Sequence, residues 1–88
     1  MAESFPTTGD LVKAKAITAD DLELLVTTYL AAPSEAPLPL GPEHRINVAA
    51  AIEAHPQARA ALADPAAREG WRKTMLRTAI LLARPEKA

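Results

Sequence analysis

The 88-residue chain makes one small domain at most; its 49% hydrophobic fraction includes twenty alanines, leaving 23 larger apolar side chains, of which only Phe5, Tyr29 and Trp71 are aromatic. A chain this size buries roughly 60–65% of its unfolded surface, so a thin, leucine-rich core with no enclosed cofactor cavity is expected. The lack of cysteine excludes disulfides, thiol nucleophiles and thiolate metal sites, and a net charge of −1 exerts no whole-molecule pull on nucleic acid.

The charge is nevertheless lopsided. Residues 1–44 carry Lys13 and Lys15 against seven acids, whereas residues 45–88 carry eight Lys or Arg against four. No apolar run approaches the roughly 18 residues that suggest a membrane span. The opening residues 1–6 lack the basic start and apolar stretch of a signal peptide. A soluble, cytoplasmic protein is expected.

In chain order, residues through Thr7 show no periodicity and are expected to fray. Residues 9–17 (GDLVKAKAI) predict at most a short helical turn capped by Asp10. Thr18 opens a clear element: it is an N-cap residue type, and Asp20 and Asp21 place carboxylates where the helix dipole favours them. Leu22, Leu25, Val26, Tyr29 and Leu30 follow at helical spacing, predicting an amphipathic helix over 18–32 that Pro33 stops. Leu24 falls off that stripe, on the exposed side.

Residues 33–41 form a proline-rich connector, expected to be extended because each proline fixes φ and lacks an N–H. It reads as a spacer tied down by Leu38 and Leu40, or else as a proline-rich ligand. Gly41-Pro42-Glu43 resembles an N-cap, N1 proline and first-turn acid, predicting a helix to about Ala54. A short helix to Ala63 follows His55-Pro56, and a last helix from Pro65 to about Ala83 follows Asp64-Pro65, leaving a tail at 85–88. With no alternating β-branched run and no hairpin dipeptide, the expected fold is all-α: a trihelical, helix-turn-helix-like core over 42–84 with an additional N-terminal helix.

Little here suggests catalysis. His44 and His55 lie eleven residues apart without partners at metal-ligand spacing, and His55 reads as a helix-start residue. Three glycines form no phosphate cradle, and the Asp20-Asp21 pair is explained by capping. The expectation is a non-enzyme with no catalytic residues, no metal and no cofactor.

The last helix is more informative. At 100° per residue, Met75, Thr78, Ala79 and Leu82 gather near Trp71, predicting that this face is buried. Trp71 is then core, or otherwise an interface anchor. Lys73, Arg77 and Arg84 share the opposite side, and Arg68 and Arg72 flank the apolar face. This basic strip is a solvated face, a protein-docking surface, or a DNA-binding one.

Residues 37–83 resemble a family of proteobacterial helix-turn-helix variants found in regulators of integrative and conjugative elements. The resemblance is carried by Leu38-Pro39-Leu40, by Arg45 before the Ala-rich stretch Val48 to Ile52, and by Trp71 followed five and six places later by Leu76 and Arg77. Two positions depart from the DNA-reading members. Ala54-His55-Pro56 stands where they carry a Gly-Ala-Ser-type turn, and Arg84-Pro85-Glu86 replaces a Gly-Gly-Tyr ending. The chain thus resembles the stand-alone, degenerate antiactivator members. That resemblance implies a small protein without DNA-binding activity, which binds transcription activators (a quorum-sensing LuxR-type regulator and a helix-turn-helix activator of the same family) and holds horizontal transfer off. Candidate partner contacts are Arg68, Arg72, Lys73 and Arg77 on the last helix, with Leu24 on the first. Two alternatives stay open: a DNA-binding repressor using Lys73, Arg77 and Arg84 on phosphates, and a phage-type or structural adaptor.

Overall fold

The computed structural model describes residues 6–87, so of the stretch through Thr7 expected to fray, residues 1–5 lie outside the described residues, whereas Thr7 itself is fixed as a helix cap. Among the described residues there are five helices: α1 (Thr8–Lys13), α2 (Ala19–Ala31), α3 (Val48–Glu53), α4 (Pro56–Ala63) and α5 (Glu69–Leu82). They are joined by three short strands, β1 (Leu38–Leu40), β2 (His44–Ile46) and β3 (Glu86–Lys87), in an antiparallel sheet of order β1-β2-β3. The chain is mostly helical but not all-α. The sheet is the main departure from the sequence reading.

Local chemistry explains the helix starts. Thr7, not Asp10, caps α1; its side chain accepts from the Asp10 N–H while Asp10 reaches back to the Thr7 N–H, a capping box. Thr18 and Asp21 repeat that arrangement at α2. His55 caps α4, its Nδ1 accepting from the Ala58 N–H at 3.0 Å, as a helix-start residue should. The end of α1 is a Schellman motif: Ala16 N–H donates to Leu11 C=O, Lys15 N–H to Val12 C=O, and Lys15 takes the left-handed conformation at φ 64°.

The helix expected from Pro42 begins six residues later. Gly41, Pro42 and Glu43 form the turn of a β1–β2 hairpin, and Gly41 adopts φ 72°, which an N-cap does not require but this turn does. The register pairs Leu38 with Ile46, Pro39 with Arg45 and Leu40 with His44. Side chains alternate faces, so Leu40 and Ile46 enter the core while Pro39 and Arg45 point outward. Pro39 is tolerated because β1 is an edge strand. Asn47 is the true cap of α3: its Oδ1 accepts from the Ala50 N–H, and its Nδ2 donates to the Glu35 carbonyl of the connector. The expected connector at 33–41 thus ends in β1. The expected tail contributes β3, where Glu86 pairs with Arg45 both in register and across a 3.8 Å ion pair.

The last helix starts at Glu69 rather than Pro65; residues 64–68 form a loop instead, braced by Asp64 accepting from the Ala66 N–H and by Arg72 donating to the Asp64 carbonyl at 2.7 Å. One core cluster joins Ile17, Leu25 and Val26, the sheet residues Leu40 and Ile46, Val48 and Ile52 of α3, and Leu76 and Ile80 of α5. A second is built from Ala58 and Ala61 of α4 against Met75 and Ala79 of α5. Small side chains there let α4 lie close on α5. Thr8 is fully buried, and its N–H and hydroxyl both donate to the Ala83 carbonyl, tying α1 to the end of α5.

Candidate functional site

The residues buried on α5 are Met75, Leu76, Ala79 and Ile80. Their arc is rotated by roughly 100° from Trp71 at 100° per residue. The expectation that Trp71 and Leu82 lie on the buried face is therefore overturned: Trp71 is 54% exposed and Leu82 62% exposed. The core is filled by α2, α3 and the sheet, and α4 meets α5 through alanines, so among the described residues about half of Trp71 is left uncovered. Thr74 is exposed and Thr78 partly so, continuing the line from Trp71 to Leu82. Both hydroxyls donate to carbonyls four residues back, Thr74 to Gly70 and Thr78 to Thr74, each at 2.9 Å. The outer stripe of α5 thus has no charge and no unsatisfied hydroxyl.

The expected basic strip is largely paired. Arg77 donates to Glu23 of α2 at 2.7 Å, and Lys73 lies 3.9 Å from Glu69 one turn back. Arg84 adds its charge to the groups that hold the Asp10 carboxyl below its ordinary value; the largest of these is the Thr7 backbone N–H, followed by the Thr7 hydroxyl. The Arg77 and Lys73 pairs are exposed and worth about 0.2–1 kcal/mol each. They neutralise Lys73 and Arg77 more than they stabilise the fold, and the Arg77–Glu23 pair joins the basic back of the sequence to its acidic front. Arg72 turns toward the 64–68 loop, and its Nε is buried without a partner. Arg68 is exposed at the start of α5 and gives no side-chain cap, whereas the four other helices each have one.

Leu24 is 67% exposed, as its place off the α2 stripe requires. It does not share a surface with Arg77. Glu23 projects from α2 toward α5, whereas Leu24 borders a groove on the other flank with Asp21, Thr28, Leu38 and Pro39. The five candidate contacts therefore do not form one face: Arg72 turns to the 64–68 loop, Arg77 to Glu23 of α2, and Leu24 borders its own groove. Of the signature residues, Leu40 and Leu76 are wholly buried, Leu38 is half-buried, and Pro39 and Arg45 face solvent.

Leu82 was missed as a surface residue. The signal that identifies it is the alternative stripe Leu76–Ile80, which offers larger aliphatic side chains to the core than Thr78 and Ala79 do. Leu82 also borders a groove of about 530 Å³ with Pro37, Ile46, Ala50, Ala54 and Glu86. Among the described residues, no group of three or more His, Asp or Glu is placed to hold a metal ion, and no helix is long and apolar enough to cross a membrane. No family model, curated protein or solved structure matches this chain.

Proposed function

We propose that this protein is a small, non-enzymatic cytoplasmic regulator that binds and inhibits transcription activators, an antiactivator of the QseM type controlling excision and conjugative transfer of a mobile element. In this reading α3, α4 and α5 are a helix-turn-helix-like unit that has lost its grip on DNA. The observation that carries the reading is on α5 and its extension. Lys73, Arg77 and Arg84, the residues a DNA reader needs for phosphates, lie within the influence of Glu69, Glu23 and Asp10. Meanwhile Trp71, Leu82 and Leu24 are presented to solvent. Phosphate binding depends on cations that replace condensed counterions, and a neutralised strip supplies few. Exposed large apolar side chains are instead the usual anchors of protein–protein contacts.

The partners in this reading are a LuxR-type quorum-sensing activator and a helix-turn-helix activator of the same family. A pull-down with the purified protein as bait retains such an activator, and a gel-shift titration shows no duplex binding that depends steeply on salt. Tight, sequence-specific duplex binding that weakens steeply with salt would replace this reading with the repressor one. Recovery of capsid or secretion components alone would favour the adaptor. Leu24→Asp separates binding from folding, because Leu24 projects away from the core: activator capture falls at least tenfold while the melting temperature holds.

A further inference from the structure

We propose that the groove between α2 and β1 docks a helix of another protein, one that presents a large aliphatic side chain flanked by Lys or Arg. The inference rests on the reading of Leu24 as a partner contact and names the chemistry that partner carries. Helix α2 forms one wall through Asp21, Leu24, Leu25 and Thr28, and β1 with its turn forms the other through Leu38, Pro39 and Gly41. Leu25 is buried and Leu38 half-buried, whereas Leu24 and Pro39 stand exposed. The space of about 210 Å³ has room for one large aliphatic side chain, and covering Leu24 removes apolar surface from water.

Charge and backbone together select the occupant. From Thr18 to Glu43, the stretch that builds both walls, the chain carries five carboxylates and neither Lys nor Arg. Among the described residues only Glu23 of these five is in an ion pair, with Arg77 on the opposite flank of α2. Asp20 lies one turn before Leu24 on the outer side of α2, and Asp21 lines the groove itself. A Cβ placed on Gly41 would meet the Asp21 carboxylate at 3.3 Å, so the hairpin turn that carries Glu43 closes on the same end. Arg45, opposite Pro39 on the next strand, pairs instead with Glu86 of β3, on the side away from β1. An apolar hollow with unpaired carboxylates at one end and no cation in either wall repels an acidic segment and attracts a basic one. Pro39 leaves the middle of β1 without an N–H, so this edge does not template an added strand, and the occupant is held by its side chains. A helix provides the required spacing, with Leu and Lys one turn apart on one face.

The probe is an Ala-based helical peptide of about 16 residues, with Leu at its centre and Lys one turn to either side. Titrated into the isotope-labelled full chain, it is expected to move the amide resonances of Leu24, Thr28, Leu38 and Gly41. The dissociation constant is about 0.1–1 mM and rises severalfold as salt goes from about 50 to 300 mM. Replacing the peptide's Lys by Glu abolishes the shifts. Leu24→Ser weakens binding at least fivefold with the circular dichroism unchanged. Asp20→Asn combined with Glu43→Gln weakens the Lys peptide severalfold but leaves a Gln-substituted peptide unaffected, which a merely unfolded variant would not do. The proposal is overturned by an absence of shifts up to several millimolar peptide, by a Glu peptide that binds as well, or by binding indifferent to Leu24→Ser. Shifts confined to the Trp71–Leu82 stripe of α5 overturn it too, and self-association that moves the same four amides without peptide gives the groove to a second copy. Peptide binding without capture of an activator removes the regulatory reading and leaves this assignment standing, whereas capture without peptide binding does the reverse.

Discussion

Trp71, Lys15 and Asp10 each act through a local circumstance that composition does not reveal. Trp71 sits on the first turn of α5, off its buried arc, and is more than half exposed. Truncation to Ala is therefore expected to change the stability of the dilute protein by about 1 kcal/mol or less, far below the roughly 3–5 kcal/mol lost on emptying a buried tryptophan site. Urea denaturation distinguishes the two. Lys15 occupies a left-handed position that favours glycine, so Lys15→Gly should stabilise by about 1 kcal/mol, read as a higher urea midpoint. The Asp10 carboxyl is held below its ordinary value of 3.8 chiefly by the Thr7 backbone N–H. A depressed folded-state value means that its contribution is complete above the ordinary value and disappears as pH falls through the lowered one. Melting temperature measured from about pH 6 to pH 2 should therefore fall more steeply for the natural chain than for Asp10→Asn, with the divergence beginning below about pH 4.

Element by element, legibility followed the length of the periodic run and the strength of its cap. Helix α2 was readable because thirteen residues carry one stripe and a Thr-Asp capping box. Helix α3 was readable in its Val48–Ile52 stripe but not in its start, because Gly-Pro-Glu satisfies the pattern of a helix opening as well as that of a turn. Gly41 approaches α2 closely: a Cβ there would meet the Asp21 carboxylate at 3.3 Å and Ile17 at 3.6 Å. Asn47 was the available signal for the start, being an N-cap residue type directly before an apolar run. It both caps the six-residue α3 and holds the connector through Glu35. Asn47→Ala should thus cost about 1–2 kcal/mol, measured by chemical denaturation, with loss of amide protection across α3 and residues 35–37. The strands escaped detection for a simpler reason. Three residues or fewer are too short for alternation to stand out, and β3 has only two.

Across the whole molecule, one aliphatic cluster holds two helices and the sheet to α5. Ile80 is wholly buried in it. Ile80→Ala is expected to cost about 2–5 kcal/mol, comparable with the entire stability of a domain of this size, so thermal melting should show a largely unfolded variant at 37 °C. The charge asymmetry of the two halves finds its physical expression here: Arg77 of the basic half meets Glu23 of the acidic half across α2 and α5. Charge reversal at Arg77 breaks one exposed pair and should lower the melting temperature by only a few degrees. A large fall would mean that this bridge organises the core. Leu24, Trp71 and Leu82 remain as the exposed large apolar side chains.

The sequence by itself determined the helical character, the boundaries of α2 and α4, the capping role of His55 and the exposure of Leu24. These follow from interactions among residues three or four apart, which leave a readable spacing. Only the tertiary structure decided that β1, β2 and β3 form a sheet, that the core-facing arc of α5 runs through Leu76 and Ile80, and that Trp71 and Leu82 face outward. An amphipathic helix with two competing apolar stripes is buried along whichever one its neighbours cover. Here the neighbours that cover Leu76 and Ile80, namely α2, α3 and the sheet, lie farther away in the chain, so helical spacing alone did not choose between the stripes.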